Sequence, residues 1–190
     1  MSSHHIVRDE QEPALVLWEP DQLTYEQVGE LLGWSPRVVV HKQAAKEVLG
    51  WGIKADALCG TPNTLEELSS EFSHQEPLAK ISISKNYALA EVLNWLAKQN
   101  HKAANITLPA YSQAQNLWQQ CQQQAIIQIG VLSGGYQYFW VKERLSKWLP
   151  EGSSYILIEE GKSAENHTTT SSGEITIERK NSFWLGWKLV

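Results

Sequence analysis

Several short apolar segments of this chain end in polar residues whose types could bind a phosphate or another small anion. His41 and Lys42 follow one such segment, residues 60–63 follow a second, and residues 84–86 follow a third. Lysine ammonium groups can hold a phosphate directly, and the hydroxyl and amide oxygens beside them are neutral ligands. The sequence therefore predicts a polar site that is poor in carboxylates. Its candidate ligand-binding residues are His41, Lys42, Gly60, Thr61, Asn63, Ser84, Lys85 and Asn86.

These residues meet only if the segments before them are neighbouring parallel strands. Apolar runs at 14–18, 38–40, 55–59, 80–83, 104–108 and 125–129 predict six strands, and the stretches 24–34, 44–49, 64–70, 87–98 and 112–124 predict the helices between them. Thr24 with Gln27, and Thr64 with Glu67, have the spacing of a capping box at a helix start. Such alternation predicts an α/β fold with an open parallel sheet flanked by helices. The strands' carboxyl ends, which would include 109–111 and Gly130, share one edge, where such sheets bind ligands.

The composition changes at Ser133-Gly134-Gly135, after which short aromatic and β-branched segments follow. Strands are predicted at 137–141, 154–158, 174–178 and 183–189, with a loop rich in serine and threonine at 162–173. We expect a flexible lead at 1–12, an α/β domain at 13–132 and a small antiparallel β domain at 133–190. A β unit of this size has too little core to be stable alone. Its tryptophans favour a homodimer through this region; they are Trp140, Trp148, Trp184 and Trp187.

The composition excludes several classes of protein. The 190 residues carry a net charge of −5 with a pI of about 5.7, which argues against a nucleic-acid or anionic-membrane partner. Cys59 and Cys121 form no metal or redox pattern, so we interpret both as reduced core residues. The first twelve residues are polar, so neither a signal peptide nor a membrane span is predicted, and we expect a cytoplasmic protein. Dinucleotide, P-loop and serine-hydrolase motifs are absent from the sequence.

Three stretches resemble the thiamine pyrophosphokinase family. Residues 52–63 resemble its Gly-Ile-x-Pro-Asp, apolar run and Gly-Asp-x-Asp-Ser, with Gly52, Ile53, Asp56 and Gly60 kept. Residues 83–93 resemble its Lys-Asp-x-Thr-Asp-Leu-Glu, with Lys85 kept, and residues 38–45 occupy the place of its Ala-Asp-Gly-Gly-Ala. The order of an α/β part followed by an all-β part also agrees with the family.

The resemblance implies ATP-dependent transfer of a pyrophosphoryl group to thiamine, with Mg²⁺ and ATP as cofactors. It also implies a thiamine site near a dimer seam, for which Ser182 and Trp184 are the candidates. The family's metal-binding aspartates are replaced, however, by Thr61 and Asn63 in one motif and by Asn86 and Ala88 or a neighbour in another. His41 or Lys42 stands at the aspartate of the third, so no metal ligand is assigned.

Three hypotheses follow from the sequence. The chain is a thiamine pyrophosphokinase-like protein whose catalysis is in doubt, or a nucleotide- or thiamine-binding regulatory relative without turnover. The third is a structural or partner-binding dimer whose polar edge is filled by side chains. The sequence leaves open whether Glu66, Glu67 or Glu91 replaces the lost carboxylates; Glu91 is interpreted as facing water, and Asp56 as capping a turn.

Overall fold

The computed structural model describes residues 12–20, 23–123 and 127–189. The predicted lead at 1–12 lies almost entirely outside these residues. The strands are β1 Ala14–Leu17, β2 Val38–His41, β3 Ala57–Gly60, β4 Ala79–Ser82, β5 Ala103–Thr107, β6 Gln128–Ser133, β7 Tyr136–Val141, β8 Arg144–Leu149, β9 Ser154–Glu159, β10 Glu165–Thr168, β11 Gly173–Glu178 and β12 Phe183–Lys188. The α-helices are α1 Tyr25–Leu32, α2 Ala45–Gly50, α3 Pro62–Glu71, α4 Ala88–Lys98 and α5 Gln115–Gln122.

Ten of these strands form one sheet in the order β10-β9-β12-β7-β6-β5-β1-β2-β3-β4. The strands from β6 to β4 in this order are parallel, and the pairs from β6–β7 to β10–β9 are antiparallel. The prediction of six parallel strands flanked by helices and followed by antiparallel strands is confirmed. Because β5 pairs with β1 and not with β4, the strand order reverses beside β1. Ligands of open α/β sheets bind at such a reversal, outside the carboxyl ends of the strands.

Helices cover both faces of the parallel strands. Helices α1, α2 and α3 bury Val28, Val48 and Leu68 on the face that also carries Leu15 and Leu17 of β1. Helices α4 and α5 cover the other face, and this second core continues under the antiparallel strands. All four residues of β1 are buried, as expected of a strand with helices on both sides. Within the described residues no helix is long and apolar enough to cross a membrane.

Two helix starts show how far local sequence determines the fold. The capping box of α1 forms as predicted, with Thr24 Oγ1 accepting from the amide of Gln27 and Gln27 Oε1 accepting from the amide of Thr24. The capping box predicted at Thr64 is wrong, because α3 begins earlier, with Thr61 as its cap and Pro62 in its first turn. Proline suits that position because the first helical amide has no partner within the helix.

The antiparallel region begins with a tight hairpin between β6 and β7. Gly134 and Gly135 form its turn with φ of 58° and 77°, a conformation in which glycine meets no steric penalty. Strand β6 runs to Ser133, so Gly130 lies within the strand, paired with Asn105, and its prediction as an edge residue is wrong. The strand predicted at 125–129 begins outside the described residues. A domain boundary at residue 133 stays a prediction.

Sequence patterns missed two strands of the antiparallel region. Strand β8 pairs with β11 in a separate two-stranded sheet, and β10 pairs with β9 inside the segment interpreted as a loop. Strand β8 alternates between exposed and less exposed residues, and β10 consists of polar residues. Neither contains the apolar run from which a strand is predicted. Ile177 of β11 packs with Phe183 and Leu185 of β12 in a third, smaller core.

Candidate functional site

Six of the eight predicted ligand-binding residues line one cleft at the carboxyl edge of the parallel strands. The cleft has a volume of about 390 Å³ and is lined by Trp18, His41, Lys42, Gln43, Gly60, Thr61, Thr64, Ile83, Ser84, Lys85, Ala88, Asn116, Leu117 and Gln120. Asn63 lies in the first turn of α3 and Asn86 precedes α4, and neither lines the cleft. The fold therefore brings the ends of β2, β3 and the segment after β4 together, as the alternation predicted. That these residues bind a ligand stays a prediction.

A stacked pair of rings forms one wall of the cleft. The rings of Trp18 and His41 lie 4.1 Å apart with an interplanar angle of 2°. Trp18 is held in place because its backbone amide donates to Thr107 Oγ1 at 2.9 Å. Burial lowers the pKa of His41 to about 4, against the opposing effect of a hydrogen bond with the Trp18 backbone. His41 is therefore a neutral imidazole at pH 7.

The two lysines of the cleft have different surroundings. Lys42 Nζ lies 2.6 Å from Glu67 Oε2 of α3, and this hydrogen bond and the charge of Glu67 raise the pKa of Lys42. Both side chains are more than half exposed, so the pair contributes little to stability. Lys85 has no carboxylate of the described residues within 4.0 Å of its ammonium group. Lys85 is thus the lysine of the cleft whose charge is available to a ligand.

The turn from β3 into α3 brings the start of a helix to the cleft. Thr61 Oγ1 accepts from the amide of Thr64 at 3.4 Å, and the two hydroxyl oxygens lie 2.9 Å apart. Gly60 leaves room for this turn, since a Cβ there would lie 2.8 Å from Thr64 Cγ2. Thr61, which lines the cleft, therefore brings a neutral hydroxyl and not a carboxylate to this helix start.

The start of α4 is closed by a side chain that the sequence did not single out. Gln120 of α5 is 6% exposed, and its Oε1 accepts from the amides of Leu89 and Ala90, both at 3.2 Å. These amides belong to the first turn of α4 and have no partner within the helix. A glutamine-rich, polar helix gave no sign of which glutamine would be buried. The signal exists only once α4 and α5 pack together.

The carboxylates near the cleft are already engaged. Glu91 is partly exposed, and its Oε2 accepts from the amide of Ser84 at 2.6 Å, so its carboxylate is engaged by the backbone beside Lys85. Glu67 holds Lys42. Among the residues that the structure describes, no group of three His, Cys, Asp or Glu side chains could hold a metal ion. Mg²⁺ is usually bound through one or two carboxylates and keeps its other ligands as water and phosphate oxygens. This donor set does not fit that ion.

Ser182 and Trp184, the candidates for a thiamine and dimer seam, lie away from the cleft. Trp184 is 1% exposed, and its ring packs edge-on against Trp118 at 4.9 Å. Ser182 lines a separate, open cavity of about 660 Å³ that also contacts Trp140. Neither residue lines the cleft that holds Lys85, and the seam itself stays a prediction.

Asp56, the one acidic residue kept from the family motif, lies at the amino-terminal ends of the parallel strands, opposite the end at which the cleft lies. Its Oδ2 accepts from the amide of Val38 at 2.8 Å, which ties the start of β2 to the start of β3. It also lines a cavity of about 470 Å³ between α1 and α2, larger than the cleft at the carboxyl edge. That cavity contains none of the predicted ligand-binding residues. Asp56 was interpreted as capping a turn, but its hydrogen bond instead joins two neighbouring strands that are 18 residues apart in sequence.

The fold is similar to crystal structures of thiamine pyrophosphokinases. The enzyme from Bacillus subtilis superposes with a TM-score of 0.61 and 11% sequence identity, covering 94% of this chain and 99% of that chain. The enzyme from Geobacillus thermodenitrificans gives 0.60 and 11%, covering 93% and 97%. A probable thiamine pyrophosphokinase from Staphylococcus saprophyticus subsp. saprophyticus gives 0.57 and 14%, covering 94% and 99%. No family model matches the sequence, and no curated protein matches it. At these identities the similarity is one of fold.

Proposed function

We propose that this chain is a thiamine pyrophosphokinase-like protein that binds a phosphate-bearing nucleotide or thiamine derivative in the cleft without transferring a pyrophosphoryl group. The similarity of fold over nearly the whole chain supports the first part. The cleft supports the second, because it lies where open α/β sheets bind ligands and contains a lysine that forms no ion pair with the described residues. A cytoplasmic location is part of the proposal.

The proposal that catalysis is lost depends on the charge and the partners of the oxygen atoms in and around the cleft. Phosphoryl-group transfer from a nucleotide depends on positioning and on metal ions that neutralise the charge developing on the phosphate oxygens. In this cleft Thr61, Thr64 and Ser84 offer neutral oxygens, and Glu67 and Glu91 are engaged by Lys42 and the Ser84 amide. Electrostatic stabilisation of this kind is commonly the largest contribution to the rate. A nucleotide held by lysine and hydroxyl groups alone would bind and dissociate unchanged.

A homodimer through residues 133–190 belongs to the same proposal. The antiparallel region exposes an edge strand, β10, and Trp148 of β8 is 61% exposed. Exposed strand edges and large aromatic side chains favour association with a second copy. Light scattering of the full chain at micromolar concentration measures the mass directly, and a mass of one chain at all concentrations would contradict the dimer.

Calorimetry and a product assay test the proposed function. The full chain is titrated with ATP, AMP and thiamine, once in buffer with about 5 mM Mg²⁺ and once in buffer with EDTA. The ligand concentrations are on the order of the Kd values of nucleotide sites. We expect a nucleotide or thiamine derivative to bind in both buffers, and no AMP to form from ATP and thiamine. The Bacillus subtilis enzyme in parallel is the positive control for AMP formation. Magnesium-dependent production of AMP would refute the loss of catalysis, and failure of every ligand to bind would favour a purely structural protein.

A further inference from the structure

The two lysines that line the cleft, Lys42 and Lys85, have different charged groups around them. No Asp or Glu is among the described residues that line it, and Lys42 and Lys85 carry its positive charges. At the Lys42 end, Glu67 lies 2.6 Å from the ammonium group, and Glu71 adds a second negative charge nearby. A phosphate that displaced Glu67 would remain beside both carboxylates. Glu91 lies at the other end, where it accepts from the Ser84 amide, but it forms no ion pair with Lys85. Among the described residues, Lys85 is therefore the cation of the cleft that can bind an anion without first giving up a carboxylate partner.

The helix start that could hold a second phosphate is closed from within. Gln120 Oε1 accepts from the amides of Leu89 and Ala90, and its carboxamide nitrogen reaches the Asn116 side chain at 3.4 Å. Gln120 is 6% exposed, so a ligand phosphate would have to expel a buried, hydrogen-bonded carboxamide to reach these amides. Access of a phosphate chain to α4 is thus blocked by the chain's own side chain.

The remainder of the cleft is uncharged and largely apolar. Ile83, Ala88 and Leu117 line it together with the stacked rings of Trp18 and His41. Its volume of about 390 Å³ is near the lower end of small-molecule sites. Apolar and aromatic walls next to a single cation suit a flat ring that carries one anionic group.

We infer that the cleft takes a heterocyclic compound with a single phosphate, in preference to a triphosphate. This inference rests on the proposed function and specifies the ligand of the same site. Lys85 binds the phosphate, and the apolar wall packs against the ring. The further phosphates of a triphosphate add negative charge that no unpaired cation of the described cleft neutralises. Each such phosphate loses hydration without gaining a compensating contact, which weakens binding.

Titrations in magnesium-free buffer with EDTA test this inference. The probes are AMP, thiamine monophosphate, inorganic phosphate and ATP, and the comparison of the first two identifies the ring. The unmatched phosphates of ATP cost desolvation that a monophosphate avoids, so we expect a monophosphate to bind at least about tenfold more tightly than ATP. A charge-assisted hydrogen bond is worth roughly ten- to a hundredfold in affinity, so Lys85→Met should weaken the binding of the monophosphate by about that factor. Lys98→Met, at the exposed far end of α4, is the matched control and should leave it unchanged.

Each other result contradicts one of the two proposals. ATP that binds more tightly than both monophosphates overturns the inference and leaves the proposed function standing. Inorganic phosphate that binds as tightly as AMP and thiamine monophosphate overturns the role of the ring, and an unchanged affinity in Lys85→Met overturns the role of Lys85. If none of the four probes binds here and no ligand binds in the titrations with Mg²⁺ described above, the proposed nucleotide or thiamine site is refuted, and the inference with it.

Discussion

Replacement of Gln120 by leucine tests the contact that closes the start of α4. Leucine nearly preserves the volume of the side chain but removes the oxygen that accepts from the Leu89 and Ala90 amides at 3.2 Å. A net contribution of about 1 kcal/mol for each hydrogen bond gives a loss of about 2 kcal/mol, comparable to the loss of a helix cap. The contacts of the carboxamide nitrogen at 3.4 and 3.5 Å are too long to add much.

Urea denaturation at 25 °C, followed by tryptophan fluorescence, measures this loss. With a slope of about 2 kcal/mol per molar urea, the midpoint of Gln120→Leu falls by about 1 M. Gln119→Leu is the matched control, because Gln119 is the exposed neighbour on the same helix and should change stability by less than about 0.5 kcal/mol. If the two variants unfold at the same urea concentration, the α4 amides do not depend on Gln120, and the argument that the chain closes this helix start is refuted.

Two further predictions concern pH and packing. Because burial lowers the pKa of His41 to about 4, the unfolded chain binds its proton between about pH 6.5 and 4 and the folded chain does not. When the pH is lowered from 7.5 to 4.5, the free energy of unfolding should therefore fall by about 2 to 3 kcal/mol more in the wild type than in His41→Gln. Urea denaturation at both pH values measures this, and an equal fall in the two proteins would contradict it. In β12, a Cβ at Gly186 would lie 2.5 Å from Tyr138 Cδ1, and Tyr138 packs edge-on against Trp118, so Gly186→Ala should cost about 1 to 3 kcal/mol. Gly173→Ala, with no atom within 4 Å of its Cβ, is the control, and similar thermal midpoints for the two variants would show that the β12 packing adapts.

The parallel half of the fold could be predicted because its signals are local. An apolar run such as β1 and a capping box such as Thr24 with Gln27 depend on neighbours in sequence, and both form as expected. The antiparallel half was predicted less well. Strand β8 exposes every second residue and β10 carries mostly polar side chains, so their strand conformation follows from pairing with β11 and β9. Hydrogen bonding to a distant strand leaves no mark in a short polar segment.

The candidate site divides in the same way. His41, Lys42, Thr61 and Lys85 were predicted to lie together because the carboxyl ends of parallel strands share an edge, and the structure places them in one cleft. Asn63 and Asn86 were predicted together with them but do not line this cleft, since one turn of helix or loop is enough to place a side chain elsewhere. The partners of the charged groups could not be predicted from spacing. Glu67 lies 25 residues from Lys42, and Ser84, whose amide donates to Glu91, lies 7 residues from it.

The sequence by itself determined the alternation of strands and helices in the parallel half, the strand ends at which polar residues collect and the scarcity of carboxylates there. Composition and short-range periodicity are enough for these features, because each depends on residues within a few positions of one another. The tertiary structure alone decided which lysine of the cleft has no carboxylate partner in the described part of the chain, that Trp18 stacks on His41, and that Gln120 closes the start of α4 across 30 and 31 residues. These contacts exist only where separate helices and strands pack, and the energy of a hydrogen bond or ion pair depends on that geometry.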